Sequence, residues 1–214
     1  MYRALILDMD GTMMDTERTL LNLWDQISQE MGYVFSMDVM VATVGTTYEE
    51  TATAMRAAHP DAPHDAIDRE RERRFAAMRD GGEIPVKQGL FELLAAAKEK
   101  KMKIGVCTST YRASVEATLL AAGVLVDIDA MVCAGEAEKG KPDPAPYLLA
   151  AQRLGVAPAA CLVVEDSPNG ARSALAAGMD VVLVPDLVMP PEDIKARVTI
   201  GENLSDVTLL LNYC

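Results

Sequence analysis

From about Val86 onward, short apolar runs alternate with helical patterns, and no other feature of this 214-residue chain narrows its fold as much. Residues 4–7, 103–107, 130–133, 161–164 and 181–184 are β-branched or otherwise apolar, the composition and length of strands covered on both faces. Residues 92–100, 113–122, 144–154 and 169–177 carry Ala and Leu at helical spacing, and Gly123, Gly155 and Gly178 follow three of these stretches as stop signals. Strand and helix in turn predict an α/β fold, a Rossmann-like, doubly wound parallel sheet.

Between residues 15 and 85 the alternation stops. Four helix-like stretches, 16–31, 37–43, 48–58 and 64–79, occur there with no convincing strand. Gly45, the turn at 60–63 and the pair Gly81 and Gly82 punctuate them. This helical insert begins just after the first strand and its loop, which places it over the carboxyl end of that strand, where open α/β sheets bind ligands. We therefore read 1–14 and 86–214 as the catalytic core and 15–85 as a helical cap able to act as a lid. The charged run 68–74 offers the i, i+4 pairs Asp65/Arg69 and Glu70/Arg74, the pattern of a solvated helix face, the alternative being that one of its arginines points into a substrate cleft.

Charge and cysteine usage exclude several partners. A net charge of −12 opposes general attraction to nucleic-acid phosphates and anionic membranes. No apolar run is long enough to span a bilayer, and Asp8 interrupts the N-terminal stretch, so no targeting segment is read there. Cys107, Cys133, Cys161 and Cys214 have neither CxxC nor zinc spacing and read as reduced thiols. A monomeric, cytoplasmic protein is the expectation.

The chemistry lies at strand ends. Leu5-Ile-Leu-Asp-Met-Asp-Gly-Thr12 is an apolar strand closing in two acids one residue apart. Extended geometry puts Asp8 and Asp10 on one side, where their repulsion calls for a cation, a shared proton or separate tasks. Cys161-Leu-Val-Val-Glu-Asp-Ser167 ends in the acids Glu165 and Asp166. Strand ends from distant sequence meet at one edge of such a sheet, and oxygen donors without nearby His or Cys point to Mg²⁺. Thr108, Ser109 and Thr110 end another strand, where hydroxyls and helix-start N–H groups suit a phosphate oxygen or simply cap the helix. Lys141 sits in the stiff turn Gly140-Lys-Pro-Asp-Pro144, a good place for a cation that neutralises phosphate and nucleophile together. Gly45, Thr46 and Thr47, at a turn between cap helices, either offer hydroxyls to a sugar or polyol or serve as a helix stop and N-cap. Trp24, Tyr48 and Phe75 read as cap core, and His59 and His64 as exposed.

Asp8-Met-Asp-Gly-Thr12 with Asp15-Thr-Glu17, then Thr108, Lys141 in GKPDP and the Glu165–Asp166 pair, resemble in order and spacing the four motifs of the haloacid dehalogenase superfamily. The likeness is to the branch with a helical cap that holds β-phosphoglucomutase and sugar-phosphate phosphatases. It implies that Asp8 is the nucleophile and Asp10 the acid and base. It further implies Mg²⁺ held by Asp8, the Asp10 carbonyl and Asp166, with Glu165 acting through metal-bound water. Gly11, Thr108, Ser109, Thr110 and Lys141 then hold the transferred phosphoryl group. The retained Asp10 argues against a dehalogenase, and the lack of any lysine before Lys87 argues against a phosphonate-cleaving relative. Sugar phosphomutases of this branch commonly carry a cap histidine near the position of Leu20 and an arginine in the cap turn, and this chain has neither. The resemblance thus implies an Mg²⁺-dependent phosphatase of a small phosphorylated metabolite, a sugar or polyol phosphate. A mutase, a nucleotide or nucleoside monophosphatase, and, more distantly, a phospho-aspartate signalling domain are the alternatives.

Overall fold

The computed structural model describes residues 1–36, 38–39 and 48–213. Its centre is a six-stranded sheet of β1 (Ala4–Leu7), β2 (Lys103–Cys107), β3 (Ala130–Val132), β4 (Cys161–Glu165), β5 (Asp180–Leu183) and β6 (Thr199–Ile200). The order is β3-β2-β1-β4-β5-β6 and every neighbouring pair is parallel. The chain steps outward from β1 to β3, returns to place β4 on the other side of β1, and steps outward again. The reversal at β1 opens a crevice beyond its carboxyl end, between the ends of β2 and β4.

Period-two alternation builds a core on each face of the sheet. Leu5 and Leu7 of β1 and Leu162 and Val164 of β4 point into one layer, and Ala4, Ile6, Cys161 and Val163 into the other. Into the first layer α4 (Leu90–Glu99), α5 (Arg112–Ala121) and α9 (Leu204–Tyr213) insert Leu93, Leu119 and Val207. Into the second, α6 (Ala145–Leu154) and α7 (Pro168–Ala176) insert Tyr147, Ala151, Ala171 and Ala174. All four β1 side chains are fully buried, and burying each of the larger ones stabilises the fold by about 1.5–3 kcal/mol. The short α8 (Glu192–Lys195), α9 and β6 were not read from the sequence; β6 is two exposed residues with no apolar run to announce it.

Between β1 and α4 lie α1 (Thr16–Glu30), α2 (Tyr48–Ala58) and α3 (His64–Asp80), which form the helical cap. Leu23, Trp24, Ile27, Phe35, Met55 and Ile67 give it a small core of its own. The expected helix over 37–43 lies outside the described residues except for 38 and 39, which are helical. His59 and His64 are half-buried rather than exposed, because their rings pack on Phe35 at centroid distances of 4.6 and 5.8 Å. The Glu70/Arg74 pair forms at 2.7 Å, whereas Asp65 pairs with Arg56 at 3.0 Å instead of with Arg69. No helix among the described residues is long and apolar enough to cross a membrane.

Candidate active site

β1 runs straight into Asp8, whose side chain is only 9% exposed. Lys141 Nζ donates to Asp8 Oδ1 at 2.6 Å, to Glu165 Oε1 at 2.6 Å and to the Cys107 carbonyl at 2.8 Å, so all three ammonium protons have acceptors. Burial alone would lower the Lys141 pKa, but Asp8 and Glu165 more than offset it and hold the lysine charged, well above its ordinary range.

Glu165 is fully buried and both of its oxygens are engaged. Oε1 accepts from Lys141 and from the Tyr147 hydroxyl at 2.8 Å, and Oε2 accepts from the Asp166 and Ser167 N–H groups and the Ser167 hydroxyl. Ser167 also caps α7 by accepting from the Gly170 N–H. The carboxylate passes so close to that helix that a Cβ on Gly170 would fall 1.6 Å from Oε1. Glu165 therefore lies behind Lys141 and does not line the cavity with Asp8, Asp10 and Asp166. This differs from the expectation of four acids in one crevice, and the reason is the donor set of Lys141, Tyr147 on α6 and the turn 166–167 after β4, which turns the carboxylate inward.

The Asp10 carboxylate is held by three hydroxyls: Thr16 donates to Oδ1 at 2.7 Å, and Thr108 and Thr110 donate to Oδ2 at 3.1 and 2.7 Å. Thr108 in turn accepts from the Thr110 N–H at 3.1 Å. Thr108, Ser109, Thr110, Lys141 and Asp166 all border the cavity. Gly11 does not border it; its N–H donates to the Met14 carbonyl at 2.9 Å. The role of Gly11 is spatial: its φ is +80°, and a Cβ there would lie 2.2 Å from Asp166 Oδ2. Gly45, Thr46 and Thr47 lie outside the described residues.

The cavity encloses about 600 Å³ between the sheet edge and the cap. Glu17, Leu20, Trp24, Arg71 and Phe75 supply much of its cap wall. Arg71 is buried, with its guanidinium 4.9 Å from the centre of the Trp24 ring. Of the two readings of 68–74, Arg71 follows the second, an arginine turned from the solvated face to the cavity. The signal was present, since Ile67, Arg71 and Phe75 are spaced i, i+4, i+8 and share one side of α3. Tyr147 was likewise findable on the stripe Tyr147, Ala150, Ala151, Leu154, because a buried tyrosine hydroxyl needs a partner. Nothing in the sequence marks Thr16 as a partner of Asp10.

Asp8 and Asp166 fit a hard divalent cation. Burial pushes both carboxyls well above the ordinary range, and neighbouring acids, Glu165 for both and Asp8 for Asp166, raise them further, the condition that a bound cation relieves. Among the described residues no cluster of three His, Cys, Asp or Glu side chains is arranged to hold a metal. A site here needs oxygens beyond carboxylates, such as a backbone carbonyl, substrate and water, which is how Mg²⁺ is commonly bound. Cys107, Cys133 and Cys161 are buried and free, and burial raises all three thiols, that of Cys107 to about 12, which disfavours the thiolate at neutral pH.

Comparison with known proteins agrees with this architecture. Residues 2–178 match the haloacid dehalogenase-like hydrolases, and the chain belongs to that family. It is 33% identical over 207 residues to Protein CbbY of Rhodobacter capsulatus, covering 91% of this chain and 90% of the relative. Fructose-1-phosphate phosphatase YqaB of Escherichia coli is 32% identical over 182 residues, covering 85% and 95%. Among solved structures, CbbY from Rhodobacter sphaeroides in complex with phosphate superimposes with a TM-score of 0.80 at 26% identity, covering 97% of this chain and 96% of that one. Fold and family together define a phosphatase of the haloacid dehalogenase superfamily, whose hydrolases generally require Mg²⁺.

Proposed function

We propose that this chain hydrolyses a small sugar or polyol phosphate through an aspartyl phosphate on Asp8, with residues 1–14 and 86–214 as the catalytic core and 15–85 as the cap. The observation that carries the reading is Lys141, fixed between Asp8 and Glu165 at the edge of the cavity that Asp10 and Asp166 also border. Asp8 attacks phosphorus, the bond from phosphorus to the leaving oxygen breaks, and Asp10 gives that oxygen its proton. Asp10 then takes a proton from water, which attacks the aspartyl phosphate and regenerates Asp8. Lys141 stays charged throughout and offsets negative charge on Asp8 and the transferring group. Glu165, Tyr147 and the Cys107 carbonyl keep its ammonium aimed, so Glu165 acts as a positioning residue for the lysine. Asp8, Asp166 and the Asp10 carbonyl would hold Mg²⁺, which supplies charge neutralisation as a carboxylate meets a phosphate dianion.

A cavity of this size accommodates a phosphorylated sugar, and the known relatives include a fructose-1-phosphate phosphatase. Hydrolysis is favoured over phosphoryl return to a sugar because Leu20 borders the cavity without a group able to move a proton. The test is phosphate release from sugar, polyol and nucleotide monophosphates with Mg²⁺, with the organic product identified. Release of free sugar or polyol is the expected result; an isomerised sugar phosphate, or preference for a nucleotide, would contradict it.

A further inference from the structure

Asp15, Arg18, Lys87 and Asp186 form an ion cluster that the chemistry above leaves unused. Asp15 precedes α1, Arg18 lies in its first turn, Lys87 follows Val86, which bridges Met14 on the return from the cap, and Asp186 is in the loop after β5. Asp186 Oδ1 accepts from Arg18 at 2.9 Å and from Lys87 at 2.9 Å. Asp15 Oδ1 stands 3.7 Å from Arg18 and 3.6 Å from Lys87. Two cations and two anions therefore balance across four separate positions. Backbone pairing reinforces them, because Asp15 N–H donates to the Pro85 carbonyl at 2.8 Å and Lys87 N–H to the Met13 carbonyl at 2.9 Å.

Asp186 is an odd residue to keep for stability alone. Its side chain is 3% exposed, and among the described residues its Oδ2 is buried without a hydrogen-bond partner. A carboxylate buried in that way costs free energy that a neutral or apolar side chain would not. What it gains is position. Asp186 fixes Arg18 and Lys87, those two flank Asp15, and the next residue, Thr16, is the first of α1 and donates to Asp10 Oδ1 at 2.7 Å.

We propose that Asp186 is a positioning residue that, through the Arg18–Asp15–Lys87 cluster, sets the start of the first cap helix and hence the aim of Thr16 on the Asp10 carboxylate. The inference rests on the reading of Asp10 as the acid that protonates the leaving oxygen. Its consequence is specific: loosening the cluster should slow the step that needs that proton, most for the most basic leaving group.

Phenyl phosphate and p-nitrophenyl phosphate test this, because they are nearly alike in shape but phenolate needs protonation more than nitrophenolate does. Asp186→Asn should lower kcat/KM for phenyl phosphate by about 10-fold or more while that for p-nitrophenyl phosphate stays within about 2-fold. Thr16→Val should reproduce the same selective loss, and the double variant should lose little more than either alone, since both act on one carboxylate. Equal losses on the two esters would reduce the cluster to a structural brace and overturn the proposal, as would wild-type kinetics in Asp186→Asn. Additive losses in the double variant would break the link to Thr16. No phosphate release from either ester by the unaltered protein would instead count against the phosphatase reading itself.

Discussion

Lys141 Nζ lies 2.6 Å from one oxygen each of Asp8 and Glu165, with all three side chains nearly out of contact with water. Removing Lys141 leaves two buried carboxylates without their shared cation. Lys141→Met should therefore cost about 3–5 kcal/mol of stability as well as turnover, which urea unfolding would detect. Asp8→Asn acts in the opposite sense on the fold. Burial works against the Asp8 charge, so the neutral isostere should leave the thermal midpoint unchanged or higher while turnover is lost. A drop of several degrees together with retained activity would contradict both roles. In the cap wall, Arg71→Met should raise KM for a phosphorylated sugar more than it lowers kcat, because Arg71 is a cation bordering the cavity on its cap side. An unchanged KM would remove Arg71 from substrate contact. At this scale the sequence showed the acids and Lys141 clearly, because they close strands or sit in a stiff turn. It did not show that Glu165 turns inward, since that depends on Tyr147 and Gly170 of two different helices.

Helices and strands are tied together beyond the apolar layers by a few polar clamps. Glu136, in the loop after β3, accepts from Arg112 of α5 at 2.6 and 2.9 Å and also from Arg153 of α6. The Arg112 hydrogen bond, with help from Arg153, holds the Glu136 carboxyl down at about 2 against an ordinary 4.5. A lowered pKa in the folded state means that the unfolded chain binds the proton more readily. The clamp's contribution is thus complete above about pH 4.5 and is lost as pH falls toward about 2. Solvent around the two arginines keeps that contribution small. Glu136→Gln should flatten the acid limb of the stability curve over that interval and change little at neutral pH. An acid limb identical to wild type would contradict the clamp. The first five strands were legible as elements within a residue or so, because each is an apolar run, buried on both faces in all but the partly exposed β3. The sixth strand and the last two helices were not, because β6 has no such run and α9 depends on a tertiary partner, α4, that period alone does not reveal.

On the scale of the whole molecule, one sheet edge collects side chains separated by more than 150 residues, with Asp8 and Asp166 beside the same cavity. That convergence follows from the strand order, and the order follows from alternation of strands and helices with right-handed crossovers. The helical cap was legible as a break in that alternation. Its inner surface was only partly so, because the burial of Arg71 on Trp24 requires α3 to lie against α1. Two buried carboxylates beside the cavity should make turnover depend on a divalent ion. EDTA should abolish phosphate release and Mg²⁺ restore it, and persistence in chelator would contradict the cation's part. The most direct measurement is of the covalent intermediate. In an acid-quenched single turnover with Mg²⁺ and a hydrolysed phosphate ester, peptide mass spectrometry should find the phosphoryl group on the peptide containing Asp8 and not in Asp8→Asn. Phosphate released in that turnover with no phosphoryl group ever on Asp8, or with the group on another residue, would contradict the account.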